Sequence, residues 1–494
     1  MFLNELTIKQ CHDGLMKKDF SSVELTRACL HQIKKQDDKI HSFVLITEKE
    51  ALEQAKKVDD KIAQNETIKI LEGIPAGIKD LLCTKGIRTT ACSKILENFI
   101  PPYDCTVIKK LKENGFVILG KQNCDEFAMG SSTENSAFGS TKNPYDLERT
   151  AGGSSGGSAA SVVANECIYS IGTDTGGSIR QPAAFCGMVG LKPTYGRVSR
   201  FGITAYASSL EQAGPIIKTV EDAAIVLEAI AGNDKLDSTT SFKNVPNYSA
   251  NLNKDIKGIK IGLPREFFEQ GLDLKIKESI YKALKVFENL GAKIEEINLP
   301  MTKYAIASYY IIAKAEASAN LARYDGIRYG NSNVKSQNLS DVYFETKTNG
   351  FGDEVKRSIM MGTYALSSGY YDAYYLKATK IRTLIKQEYI KAFEKYDAII
   401  CPVSPILPFK IGEKIENPLA MYLIDAFTVP INLAGVPSLT VPCGKIKIKE
   451  KAKEYIVSDG ESLPTAFQII GKHFDEETIL RIGNAYEKTQ NKIK

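Results

Sequence analysis

The chain has 494 residues, a quarter of them charged, with 64 Lys and Arg against 59 Asp and Glu for a formal net charge of +5. It is long enough for a large core, and its balanced charge, without a basic block, argues against direct nucleic-acid binding by this chain alone. Ten cysteines with no C-x-x-C pair argue against zinc and a disulfide framework, and neither a secretory signal nor roughly 18 uninterrupted apolar residues are seen, so the expectation is a soluble, cytoplasmic protein.

In chain order, Ser21 and Glu24 form a capping box ahead of Leu25, Cys29 and Ile33, which predicts an amphipathic helix over 22–35. "EALEQAKKVDDKIAQ" continues in the same way, so residues 1–70 read as a helical region packed on the core. From Gly73 to about Pro215 short apolar runs such as "FVILG" and "CIYSIG" alternate with Gly, Ser, Asn and Pro, the pattern of buried strands with functional loops. A helix is expected over 216–232, then a polar surface loop, the strand "IKIGLP", and a helix with Ile276, Ile280, Leu284 and Phe287 on one face and Gly291 at its C-cap. "AIICPVSP" and "PSLTVPCG" read as late strands. This alternation implies an α/β architecture.

Three stretches carry candidate chemistry. "AGGSSGGSAASVV" (151–163) contains Gly152-Gly153-Ser154-Ser155-Gly156, a formal match to the nucleophile elbow G-x-S-x-G, although a flexible linker reads similarly. The apolar residues that follow point to a buried helix instead. "GTDTGGSIRQPAA" (172–184) sets two glycines before Ser178, which marks backbone that takes unusual dihedrals or approaches something closely. A histidine triad would need one of His12, His31, His41 or His473, and only His473 follows the serines as in an α/β-hydrolase. Lys79, in "GIPAGIKDLLCTKG", lies in an apolar run, where a lysine is either a snorkelling strand-end residue or, if buried and neutral, a base.

Lys79, the G-G-S-S-G-G-S loop and G-T-D-T-G-G-S-I-R-Q-P together resemble the amidase signature family. The resemblance implies a single large α/β domain with a mixed central sheet flanked by helices, the signature core at 71–215 and the remainder of the domain at 216–494. It also implies a Ser-Ser-Lys triad: Ser178 as nucleophile, Ser154 as bridge, Lys79 as base, and an oxyanion hole at Thr175, Gly176 and Gly177. Asp174 and Arg180, which flank the nucleophile, read as scaffold.

"GKQNCDEFAMGSSTENSAFG", "KPTYGRVSRFGITAYASSLEQAGP", "EASANLARYDGIRYG", "ALSSGYYDAYY" and "DAFTVPINLAGVPSLTVPCG" narrow the resemblance to the A-subunit family of the tRNA-dependent amidotransferases. That family implies a glutaminase that supplies ammonia for converting Glu-tRNA(Gln) to Gln-tRNA(Gln). It implies B and C subunits as partners in a heterotrimer, with ATP and Mg used by B, tRNA bound mainly through B, and neither cofactor nor metal in this chain. The glutamine pocket it implies lies on "EVKRS", with Arg357, on Asp425, and on Tyr309; Glu126 and Glu134 are assigned to a polar ammonia route. Two departures stand out. Arg357-Ser358 occupies a place where the family has two arginines, and "LPTAFQIIG" has Ala466 and Phe467 in place of a small turn and an aliphatic, read as repacking. The alternative reading is a free-standing amidase acting on small amides; a catalytically dead scaffold is opposed by the intact Lys79, Ser154 and Ser178.

Overall fold

The computed structural model describes every residue except 1, 270, 333–337, 415–416, 459 and 494. The strands among them are β1 (Phe43–Ile46), β2 (Pro75–Lys79), β3 (Val117–Gln122), β4 (Lys142–Asn143), β5 (Asp146–Thr150), β6 (Tyr169–Asp174), β7 (Val189–Lys192), β8 (Gln212–Ile217), β9 (Lys260–Pro264), β10 (Lys293–Ile297), β11 (Ala398–Pro402), β12 (Ser438–Lys447) and β13 (Ser462–Gly471). Eleven form one sheet in the order β1-β3-β2-β6-β8-β7-β12-β13-β11-β9-β10, while β4 and β5 pair separately. β2 is parallel to β3 and β6, and β9 is parallel to β10 and β11. From β6 across to β11 the neighbours are antiparallel, so the sheet is mixed, as expected for the α/β class. No helix among the described residues is long and apolar enough to cross a membrane.

Local chemistry accounts for several boundaries. Ser21 accepts from the Glu24 amide and Glu24 returns to the Ser21 amide at 2.7 Å, which starts the helix Ser22–Ile40 and buries Leu25, Cys29 and Ile33. The helix Leu274–Asn289 buries Ile276, Ile280, Leu284 and Phe287; its C-cap is Leu290, and Gly291 at φ +88° follows one residue later than expected. The helix expected over 216–232 is Val220–Ile230, because Ile216 and Ile217 are held in β8 by β6 and β7 and the Thr219 hydroxyl caps the Asp222 amide.

Residues 1–70 are not wholly helical: "FVLI" forms β1, antiparallel to β3 at the sheet edge. The stretches 1–70, 71–215 and 216–494 all contribute strands to the same sheet. Phe467 packs its ring against Phe287 and Tyr486, with centroids at 5.6 and 5.1 Å. Its size is thus absorbed in the core beneath β13.

Candidate active site

The carboxyl ends of the parallel strands β3, β2 and β6 meet at one place, the position where α/β sheets present their functional loops. Lys79 ends β2, Asp174 ends β6, and residues 175–178 follow at once. Ser154 and Ser155 precede a helix, Gly156–Val163, in which every residue is buried, so the glycine-serine stretch is not a linker.

Lys79 is fully buried and does not snorkel. Its Nζ donates to Ser154 Oγ at 2.7 Å, Thr173 Oγ1 at 2.8 Å and Ser155 Oγ at 2.9 Å. Three hydroxyl acceptors match the three ammonium donors, and hydroxyls can turn to donate once the amine is neutral. Burial pulls the Lys79 pKa down to about 8, with Asp125 and Asp174 acting against it. The geometry therefore provides a lysine that can be neutral near physiological pH and is already bonded to a serine that can relay its proton.

Ser178 reaches a small cavity of about 50 Å³. Its carbonyl accepts from the Ser155 amide at 3.2 Å, which ties the two serine loops together. Among the described residues its hydroxyl makes no hydrogen bond. The Lys79–Ser154 half of the relay is formed and the Ser154–Ser178 half is open; catalytic hydrogen bonds commonly tighten only around substrate.

The glycines before Ser178 have a steric reason. A Cβ on Gly176 would lie 2.4 Å from the Tyr309 hydroxyl, and one on Gly177, at φ +144°, would lie 2.4 Å from Thr428 Oγ1. The backbone is pressed against the pocket wall, and only glycine fits. Among the described residues no hydrogen bond uses the amides of Thr175, Gly176, Gly177 or Ser178. Buried amides are nearly always paired, so this run of free donors beside a candidate nucleophile can accept a developing oxyanion.

Beneath the loop, Asp174 and Arg180 form a buried ion pair at 3.0 Å. Arg180 also donates to Thr428 O at 3.2 Å, to Gln468 Oε1 at 3.0 Å and to Asn432. Burial alone would raise the Asp174 carboxyl, but Arg180, together with Lys192 and Asn432, outweighs it and leaves the pKa at about 2. The pair fixes the loop from below and is outside the cavity.

Tyr309, Arg357 and Asp425 line the same cavity as Ser178. Asp425 accepts from Ser131 Oγ at 2.9 Å and from Tyr310 Oη at 2.7 Å, while burial pushes its pKa up to about 7. Arg357 is half exposed and pairs with Glu354 on its own helix, Asp353–Leu366. Ser358 is buried behind that wall and accepts from Lys314 Nζ at 3.0 Å.

Glu126 and Glu134 have different surroundings. Both oxygens of Glu126 are taken, one by Ser93 and the other by the Gly352 amide at 2.8 Å, where Gly352 caps the Asp353–Leu366 helix. Burial holds its pKa up at about 7. Glu126 thus anchors the helix that carries Arg357. Glu134 accepts from the Gly412 amide at 2.6 Å, and its other oxygen is buried without a partner among the described residues. His473 meets the Ala434 carbonyl at 3.0 Å and does not line the cavity, so the α/β-hydrolase alternative lacks its base.

Sequence reasoning missed Ser155 and Thr173 as partners of Lys79, and Ser131, Tyr310, Glu354 and Lys314 around the pocket. Thr173 had a signal: it precedes the nucleophile loop on a buried strand. So did Lys314, a lone lysine in the apolar helical run "YYIIAKAEASAN" one turn after Tyr310.

Fold and site together are those of an amidase, with Lys79, Ser154 and Ser178 as its candidate catalytic groups. The family model described as Amidase matches residues 24–480, and the chain belongs to that family. It is 55% identical over 488 residues to the A subunit of glutamyl-tRNA(Gln) amidotransferase from Caldanaerobacter subterraneus subsp. tengcongensis, covering 99% of this chain and 97% of the relative. The crystal structure of the A subunit of glutamyl-tRNA(Gln) amidotransferase from Thermotoga maritima matches with a TM-score of 0.80 at 43% identity, covering 98% of this chain and 95% of that one. A bacterial aryl acylamidase of the amidase signature family matches with a TM-score of 0.82 at 25% identity, covering 98% and 96%.

Proposed function

We propose that this chain is the glutamine-hydrolysing amidase subunit of a tRNA-dependent amidotransferase. The observation that carries the chemistry is the Lys79–Ser154 contact of 2.7 Å in a fully buried setting, next to a cavity shared by Ser178 and Asp425. Identity of 55% to an amidotransferase A subunit over nearly its full length, against 25% to an aryl acylamidase, favours this reading over a free-standing amidase.

In this mechanism neutral Lys79 takes a proton through the Ser154 hydroxyl as Ser178 Oγ attacks the side-chain carboxamide of glutamine. The free amides at 175–178 hold the oxyanion. The relay returns the proton to the leaving nitrogen, ammonia departs, and the glutamyl ester on Ser178 is cleaved by water activated through the same relay. Tyr309, Arg357 and Asp425, all from 216–494, form the glutamine pocket: Asp425 faces the α-ammonium and Arg357 the α-carboxylate. Glu134, with one buried oxygen free, is the better candidate for an ammonia route; Glu126 serves as a helix anchor.

Ammonia is passed to a partner B subunit that binds ATP, Mg and Glu-tRNA(Gln), within a cytoplasmic heterotrimer that also holds a C subunit. This chain itself needs no cofactor for glutamine hydrolysis. Ammonia release from glutamine, measured with and without co-expressed partners, tests the reading. Release that requires Ser178 and rises with partners, ATP and Glu-tRNA is expected; preference for simple amides with no response to partners would replace it with a free amidase.

A further inference from the structure

Resting on the glutaminase reading, we propose that Lys314 makes the pocket selective for substrates with an α-carboxylate. It acts as a positioning residue, through Glu354 and Arg357, without touching the reacting amide.

Lys314 lies on the helix Ala305–Leu321, one turn after Tyr310, and is 1% exposed. Its ammonium uses all three donors, on Tyr422 Oη at 2.8 Å, Glu354 Oε1 at 2.9 Å and Ser358 Oγ at 3.0 Å. Nζ also sits over the rings of Tyr422 and Tyr310, at 4.6 and 5.5 Å from their centroids. Those rings stack at 4.0 Å and line the cavity. The second oxygen of Glu354 takes Arg357 Nη1. A chain of alternating charge therefore runs from a buried helix to the cavity wall.

Charge balance says what this chain does. Glu354 and Arg357 alone are a neutral pair on one helix, with the arginine neutralised by its own neighbour. Lys314 adds a second cation to the same Glu354, so the cluster becomes net positive by one, and Arg357 lines the cavity sharing its carboxylate partner with Lys314. Beyond the stacked tyrosines is Asp425, which Tyr310 holds. The cavity thus offers one surplus cation and one anion, the complement of a zwitterionic amino acid. Lys414 also lines the cavity, but Glu413 lies 3.2 Å from it.

Ser358 makes the arrangement possible. Where the resemblance expects a second arginine, a buried serine leaves room and an acceptor for a lysine arriving from the facing helix. The two helices touch closely there: a Cβ on Gly362 would lie 1.9 Å from the Lys314 carbonyl. The cation missing from one helix is supplied by the other.

The test compares glutamine with 4-aminobutanamide, which is glutamine without its α-carboxylate, as substrate or as competitive inhibitor of the purified complex. Lys314→Met is expected to raise KM for glutamine about tenfold or more with kcat within about twofold, and to leave 4-aminobutanamide within about twofold. Lys314→Arg should recover most of the loss. So should Lys314→Ser combined with Ser358→Arg, which moves the cation to the other helix. Equal losses on both compounds would reduce Lys314 to a scaffold residue and overturn the proposal. So would an unchanged KM for glutamine, or the same selective loss in Lys414→Gln alone. A wild-type complex without Ser178-dependent glutaminase activity would instead remove the functional reading beneath it.

Discussion

The two walls of the cleft are built on opposite principles. On the triad side, Lys79, Ser154, Ser155 and Thr173 are sealed from solvent, and the lysine has hydroxyls as its hydrogen-bond partners. On the proposed recognition side, charged groups stand among tyrosines, Arg357 is half exposed, and its helix is fixed from outside by Glu126. The difference teaches what each task requires. A base must lose its proton near neutral pH, which burial among uncharged partners achieves. A carboxylate ligand must meet a charge that keeps its proton, which an arginine backed by further charge provides.

The largest effect expected is at the sealed wall. Ser178→Ala should lower ammonia release from glutamine by at least about 10⁴-fold with little change in Tm. Lys79→Met should cost about as much, and Lys79→Arg should not recover it, because a guanidinium does not give up its proton. Since Lys79 must be neutral to act, kcat/KM of the wild type should rise with pH and level off above about 8. Its pKa in the fold lies below the ordinary 10.5, so between these values the unfolded chain binds more protons and stability rises with pH; Lys79→Met should flatten that rise in Tm.

The pair beneath the loop sharpens the comparison by separating stability from chemistry. Arg180→Met leaves Asp174 buried without its cation and should destabilise by about 3–5 kcal/mol, seen as a lower denaturation midpoint.

At the recognition wall, Asp425→Asn should raise KM for glutamine about tenfold with a smaller change in kcat. The Asp425 carboxyl, held up at about 7, protonates as pH falls below that value, so KM of the wild type should rise toward acid pH; Asp425→Asn should abolish that dependence. His473→Ala, outside both walls, should change glutaminase kcat/KM by no more than about twofold, and a large loss would break the division between them.

Legibility in the sequence divided in the same way. The elements with caps and sustained periodicity, such as the helix Ser22–Ile40, were readable because their signals are local. β1 was not, since a four-residue apolar run between two helices becomes a strand only when β3 lies beside it. Lys79, Ser154 and Ser178 could be placed together by their resemblance to a known family, and the cavity collects Tyr309, Arg357 and Asp425 around Ser178. The assignment of Glu126 to a route failed to foresee its bonds to Ser93 and Gly352, because both partners are far away in the chain.

The sequence by itself determined the α/β class, because apolar runs and turn residues are local constraints on backbone and burial, and its resemblance to a known family marked Lys79, Ser154 and Ser178 as the candidate residues. Only the tertiary structure decided which charges meet. Lys314 and Ser358 belong to separate helices and Asp425 to a third segment, and nothing in their spacing says that one cation would occupy the place another leaves. Electrostatic pairing depends on distance through space and on the exclusion of water, and both exist only once the chain has folded.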